Sequence, residues 1–308
     1  MKLTKIGVIG GAILLATVGC KREEGCTDPA ATNYSETAEK DCCCDYGPNY
    51  SVPATYAFTD DLGNNTVSYN GQEQRLEMLS EIKTYLETTN TAGTSVDGAT
   101  LANMYANSGY TWIDANSLGM TGSSKQLRSK TALGDAGVQA YFDDLFDSIA
   151  ALSATTSIGV ENGATGISGV WPNDGVKGPY LMTGDGQEYT QLIEKGLMCA
   201  VFMNQMTYNY LGLVPTDDNT TAVDASAGKH YTTMEHHWDE AFGYFTDAID
   251  YPANGTDRFW GKYADGRESV LGSATNLITA FRTGRAAIAN DDYTTRDAQI
   301  AIINVEME

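Results

Sequence analysis

The sequence predicts an all-α fold, an antiparallel helical bundle or two stacked bundles, behind a short disulfide-stapled N-terminal segment. Three observations carry this. Apolar residues recur three and four positions apart in long runs. Strand signals are few and short. The stretches between runs are rich in Gly, Asn, Asp and Thr, which favour turns. At 308 residues and 42% hydrophobic, the chain can bury a sizeable core.

The first element is an export signal. Lys2 and Lys5 precede an apolar stretch from Ile6 to Val18. A helix crossing a bilayer needs about 20 residues, so this stretch is too short. A basic start, an apolar middle and small residues at the end make a secretory signal over residues 1–19. It closes on Thr17-Val18-Gly19-Cys20, which resembles a bacterial lipobox with Thr where Leu is preferred. The resemblance implies a lipidated Cys20 that anchors the chain to a membrane. Ordinary secretion is the alternative. Residues 20–25 form a tether. Its Glu23-Glu24 resembles the surface-export signal of lipoproteins in Gram-negative bacteria with starch-utilisation-type outer-membrane systems. The implied place is the cell envelope, as an outer-membrane lipoprotein exposed at the surface.

The formal charge is -21, from 40 acidic and 19 basic residues. Such a surface repels nucleic acid, which needs clustered Lys and Arg. It favours solubility and attracts cations.

Residues 26–46 are cysteine-rich. Cys26-Thr27-Asp28-Pro29 leads through Asn33-Tyr34 to Cys42-Cys43-Cys44-Asp45-Tyr46. Four cysteines allow three connectivities, and their spacing does not choose among them. Adjacent cysteines lack the Cys-x-x-Cys spacing of zinc sites. The segment resembles a short extracellular module of secreted marine bacterial proteins, though one residue shorter and with Cys42 and Cys43 extra. That resemblance implies a Cys26–Cys44 bridge in a small spacer.

The helical domain spans residues 47–308. Helices are predicted over 71–86, 134–152, 187–211, 232–249 and 268–289, with shorter ones at 98–106 and 123–132. The 187–211 run is apolar around much of its circumference and belongs centrally in a bundle. Cys199 within it reads as a buried core residue. Residues 300–308 read as part of a further amphipathic helix, with no stop signal, so a continuation beyond Glu308 is expected.

All three histidines, His230, His236 and His237, fall within eight residues. Thr232 and Glu235 make a capping-box pattern, so a helix begins there. Met234, Trp238, Ala241, Phe242, Phe245 and Ile249 form its core stripe. His237 and Glu240 are three apart, His236 and Glu240 four apart, and either pair can meet on the helix surface, but both cannot turn fully toward one ion. Such a pair supplies two ligands to zinc or iron, with others from neighbouring helices. His230, near the helix entry, is a further candidate ligand, and Glu235 and Asp239 are alternates. The bland alternative is a satisfied core-edge His237 and a solvated His236 on a charged face. The pattern is not His-Glu-x-x-His, which supplies two histidines and a general base for zinc hydrolysis.

Several runs resemble a bacterial lipoprotein family catalogued as domain of unknown function 4856. They are Tyr69-Asn70-Gly71-Gln72 with Arg75-Leu76, Tyr189 to Gly196, His236 to Phe245, and Phe259 to Tyr263. His237-Trp238-Asp239-Glu240 also resembles the Gly-x-His-x-x-Glu element of imelysin-type proteins, with Glu235 at the motif's glycine. That likeness implies a two-bundle helical protein tied to iron uptake, sometimes classed as a peptidase, with His237 and Glu240 as ligands.

Arg282 and Arg285, with Asp291, Asp292, Arg296 and Asp297, read as paired surface charges. Phe259-Trp260-Gly261-Lys262-Tyr263 reads as an aromatic loop. Asp60-Asp61 with Asn64-Asn65, and Asp217-Asp218-Asn219, are oxygen-rich but lack EF-hand spacing. Neither a nucleophile elbow nor a phosphate loop is present. The leading expectation is a lipid-anchored envelope protein, not an enzyme, that binds iron, zinc or a metal complex for uptake. The alternatives are a metallopeptidase using the same residues, and a glycan- or protein-binding surface lipoprotein partnered with an outer-membrane transporter. Exposed Trp260 and Tyr263 in a groove would favour the last.

Overall fold

The computed structural model describes residues 22–29, 31, 33–44, 47, 49–155, 163–172, 175 and 177–308. The signal over 1–19 and the lipidation at Cys20 lie outside them. The chain divides into two units, Met1–Asn49 and Tyr50–Glu308. In the first, β1 (Glu24–Gly25) runs parallel to β2 (Lys40–Asp41). Cys26 is bridged to Cys44, and Cys42 to Cys43.

The second unit is helical. Its helices are α1 (Asn70–Glu87), α2 (Gly98–Ala106), α3 (Ala136–Thr155), α4 (Tyr189–Leu197), α5 (Leu211–Leu213) and α6 (Thr233–Phe245). They continue as α7 (Phe259–Asp265), α8 (Glu268–Leu271), α9 (Ser273–Ala289) and α10 (Tyr293–Met307). A π-helix, Met198–Tyr210, joins α4 to α5. Two antiparallel hairpins, β3 (Gly169–Trp171) with β4 (Tyr180–Met182) and β5 (Ala222–Asp224) with β6 (Lys229–Thr232), fill loops.

Side-chain caps start three of the helices, at Asp97, at Asp292, which reads in sequence as a surface charge, and at the expected Thr232. Asp97 accepts from Thr100 N at 2.9 Å, and Asp292 from Thr295 N at 3.0 Å. At α6 the capping box is complete. Thr232 Oγ1 accepts from Glu235 N at 3.1 Å, and Glu235 Oε2 accepts from Thr232 N at 2.8 Å.

Six expectations are corrected. The 187–211 run is not one α-helix, because apolar spacing over a dozen residues does not separate a 3.6 period from the wider π turn. Cys199 faces outward on that π-helix and is exposed. The 232–249 helix stops at Phe245, where Thr246 turns extended, and Ile249 is left 48% exposed. The 268–289 run breaks at Gly272, which takes a left-handed φ of 70°. Likewise residues 123–132 yield only a 3₁₀ segment, Arg128–Gly134, and the aromatic loop at 259–263 is α7.

α6 packs against α1, the π-helix and α9. Tyr56 stacks on Phe242 with ring centroids 3.6 Å apart, and Phe281 stacks on Phe245 at 5.5 Å. Two glycines permit the close approaches. A Cβ at Gly243 would meet the Cβ atoms of Gln72 and Tyr69 at 2.8 Å, so α1 lies hard against α6. A Cβ at Gly284 would fall inside the Trp238 ring. Trp238 is fully buried, and its Nε1 donates to Phe281 O at 3.0 Å.

One face of α6 is locked by a buried charge cluster. Arg285 is fully buried, not on the surface as its sequence context suggests. Its Nε donates to Asp239 Oδ1 at 3.0 Å, its Nη1 to Glu235 Oε1 at 2.7 Å and its Nη2 to Thr66 Oγ1 at 2.9 Å. Asp239 also accepts from Tyr56 Oη at 2.8 Å and Ser68 N at 3.0 Å. Burial pushes the Asp239 carboxyl up to about 6, against the pull of Arg285 and its donors.

Candidate functional site

His236, His237 and Glu240 lie on the half-buried side of α6. Their side chains are 31%, 22% and 18% exposed. His236 Nδ1 lies 3.0 Å from Ser68 O, and His237 Nδ1 lies 2.7 Å from Asp217 Oδ2. A carbonyl only accepts, and so does an ionised carboxylate. Each Nδ1 therefore carries a proton, and Nε2 is the nitrogen of each ring left for another partner. The two rings are 6.4 Å apart and inclined by 19°. Tyr231 stacks on the His236 ring at 4.6 Å. Burial lowers the His236 pKa, and nearby Glu240 only partly offsets it, so this imidazole is neutral at neutral pH.

Glu240 completes the cluster. Its Oε2 lies 3.9 Å from His236 Nε2, and its Oε1 accepts from Gln72 Nε2 on α1 at 2.8 Å. The Gly243 approach described above is what brings Gln72 within reach. The π-helix supplies Tyr210, whose ring sits 5.6 Å from that of His237. Burial first, then Tyr244 and Glu240, raises the Tyr210 hydroxyl well above its ordinary range. Lys130, from the 3₁₀ segment, donates to Tyr210 Oη at 3.1 Å. Tyr244 Oη is buried without a hydrogen-bond partner, with Arg75 and Glu240 as its charged neighbours.

The structure thus brings together His236, His237 and Glu240. It does not bring in Glu235 and Asp239, which are turned to Arg285. His230, on β6, has Asp60 as its partner at 3.8 Å. Among the described residues, one group of three His, Cys, Asp or Glu side chains has ligand atoms all within 4.8 Å: Cys26, Asp41 and Cys44. Its two sulfurs are already bridged to each other. The α6 donors stand wider apart than that.

Asp217, Gln72, Lys130 and Tyr210 were not singled out as parts of this site by the sequence. Asp217 shows there only as an oxygen-rich loop, and Gln72 only within a family run. The first oxygen-rich loop is closed on itself, with Asp60 accepting from Asn64 N at 2.8 Å. The aromatic cluster on α7 is half-buried. Trp260 Nε1 donates to Met198 O at 3.3 Å, and Lys195 and Arg267 lie 5.0 and 5.2 Å from the Tyr263 ring centre. Trp260 and Tyr263 nonetheless line a groove together with Ala264, Arg267 and Leu277.

No curated protein and no solved structure matches the chain. A family model described as "Domain of unknown function (DUF4856)" matches residues 53–308. That span holds every helix among the described residues and the whole histidine cluster, and the chain belongs to the DUF4856 family.

Proposed function

We propose that this chain is a lipid-anchored cell-envelope protein that binds a transition-metal ion, iron or zinc, on α6 for uptake. One observation carries the reading. Both neighbouring imidazoles have Nδ1 tied back, to Ser68 O and to Asp217, and the Nε2 of His236 lies 3.9 Å from Glu240 Oε2. Metal-binding histidines are oriented in this way by carboxylates and carbonyls behind them. His236, His237 and Glu240 would hold the ion, and Asp217, Ser68 and Gln72 would orient them. Two nitrogens and an oxygen suit zinc and iron better than the hard cations calcium and magnesium. The Cys20 lipobox supports the anchor, and delivery to an outer-membrane transporter would follow from that location.

The metallopeptidase reading has less support. Its general base would be Glu240, which here serves as a ligand and accepts from Gln72 Nε2, and the other nearby carboxylates, Glu235 and Asp239, are held by Arg285. The test is metal content by mass spectrometry of the purified protein after loading. About one ion per chain, lost in the His236→Ala/His237→Ala double variant but kept in His230→Ala, supports the reading. No retained metal, or equal retention in the double variant, overturns it.

A further inference from the structure

The surroundings of the histidine pair are the reverse of the rest of the molecule. The chain carries 40 acidic against 19 basic residues. Yet Arg75, Lys125 and Lys130 gather at this face, and none of them has a carboxylate within 4.0 Å among the described residues. Their placement is fixed by structure. Arg75 donates from Nη1 to Gly71 O and from Nε to Gln126 O, each at 3.0 Å. Lys125 lies against Gly71, where an added Cβ would come within 3.0 Å of its Cε. Lys130 reaches Tyr210 Oη, and the Tyr210 ring abuts His237. Arg75 and Lys125 are also the cations that Lys130 feels, and Lys125 acts on His236.

A bare divalent cation gains from Glu240 and Asp217 but is opposed by Arg75, Lys125 and Lys130, of which Lys130 is partly offset by Glu240. In a protein this acidic, that collar is poorly suited to an aquo ion. It suits a metal that arrives inside an anionic shell. We infer that the ligand of this face is a metal held in an anionic polycarboxylate chelate, with the lysines meeting the carboxylate oxygens and the imidazoles meeting the metal. The inference rests on the metal-binding reading above.

The test is a set of calorimetric titrations of the full chain with ferric citrate, citrate alone and zinc chloride. The proteins are the native chain, Lys125→Gln/Lys130→Gln, and Lys125→Arg/Lys130→Arg, which keeps the charge. The inference predicts that ferric citrate binds more tightly than citrate alone. It also predicts a loss of about tenfold or more in the glutamine variant, rescue by arginine, and weakening with added salt. Zinc binding in the glutamine variant should be no weaker than native. Native-like ferric citrate binding by the glutamine variant overturns the chelate inference and leaves the metal reading standing if zinc still binds. Ferric citrate no tighter than citrate alone overturns it as well. Binding of neither metal form overturns both.

Discussion

Asp217 Oδ2 sits 2.7 Å from His237 Nδ1, and this contact settles which nitrogen of the ring faces outward. Asp217 lies 20 positions before His237, just beyond a 3₁₀ turn at Val214–Thr216. A similar role for His236 falls to a backbone carbonyl, that of Ser68. Two imidazoles on one turn of helix thus present the same tautomer, set by acceptors from two different loops.

Replacing Asp217 should therefore weaken metal binding without unfolding the protein. For Asp217→Asn, whose amide can also donate and favour the wrong tautomer, affinity for zinc should fall about 10- to 100-fold. Calorimetry measures this directly. An unchanged affinity would mean that the Asp217 contact does not orient a ligand.

The Arg285 cluster makes a separate claim about stability. Removing Asp239 leaves a fully buried guanidinium with one carboxylate partner, Glu235. Breaking a buried pair in this way costs about 3–5 kcal/mol, so Asp239→Ala should lower the urea midpoint sharply. A loss below about 1 kcal/mol would show that the cluster is more hydrated than its burial implies.

Gly284 is required by its neighbour and not by its backbone. An added methyl would collide with the indole of Trp238, a rigid side chain with no room to yield. Gly284→Ala should cost about 1–3 kcal/mol through forced separation of α6 and α9. Thermal melting of the variant measures this, and a native midpoint would contradict the close approach.

Asp292 links stability to pH. Hydrogen bonds from the Thr295 side chain and backbone hold its carboxyl below the usual range, and Tyr50 Oη donates to it at 3.0 Å. A depressed folded pKa contributes stability that is present above the unfolded value and is lost as pH falls through the folded one. Asp292→Ala should cost about 1 kcal/mol at neutral pH, as for other lost N-caps. The gap between variant and native should close below about pH 4, where the unfolded carboxyl protonates. Urea unfolding at several pH values follows this, and a gap that does not depend on pH would refute the cap as its source.

What the sequence makes legible is local. Residues 98–106 are read as a helix and are one, because Asp97 caps the start and Asn107 takes a left-handed end. The α6 capping box spans four residues and is visible without a structure. What stays hidden depends on distant partners. Arg285 reads as a surface charge because Glu235, Asp239 and Thr66, which bury it, are 50, 46 and 219 positions away. Gln72 meets Glu240 across 168 positions, and Lys130 meets Tyr210 across 80. The histidines mark the candidate site in sequence, but the groups that orient them come from two loops, and those that surround them from α1, the 3₁₀ segment and the π-helix.

Two imidazoles of α6 are proposed to share one metal ion. X-ray absorption at the zinc edge, on protein loaded with one equivalent, tests it most directly. The account predicts two imidazole nitrogens at about 2.0–2.1 Å with oxygen completing the shell, and loss of imidazole scattering in the His236→Ala/His237→Ala variant. A shell built only of oxygen, or of sulfur, would contradict it.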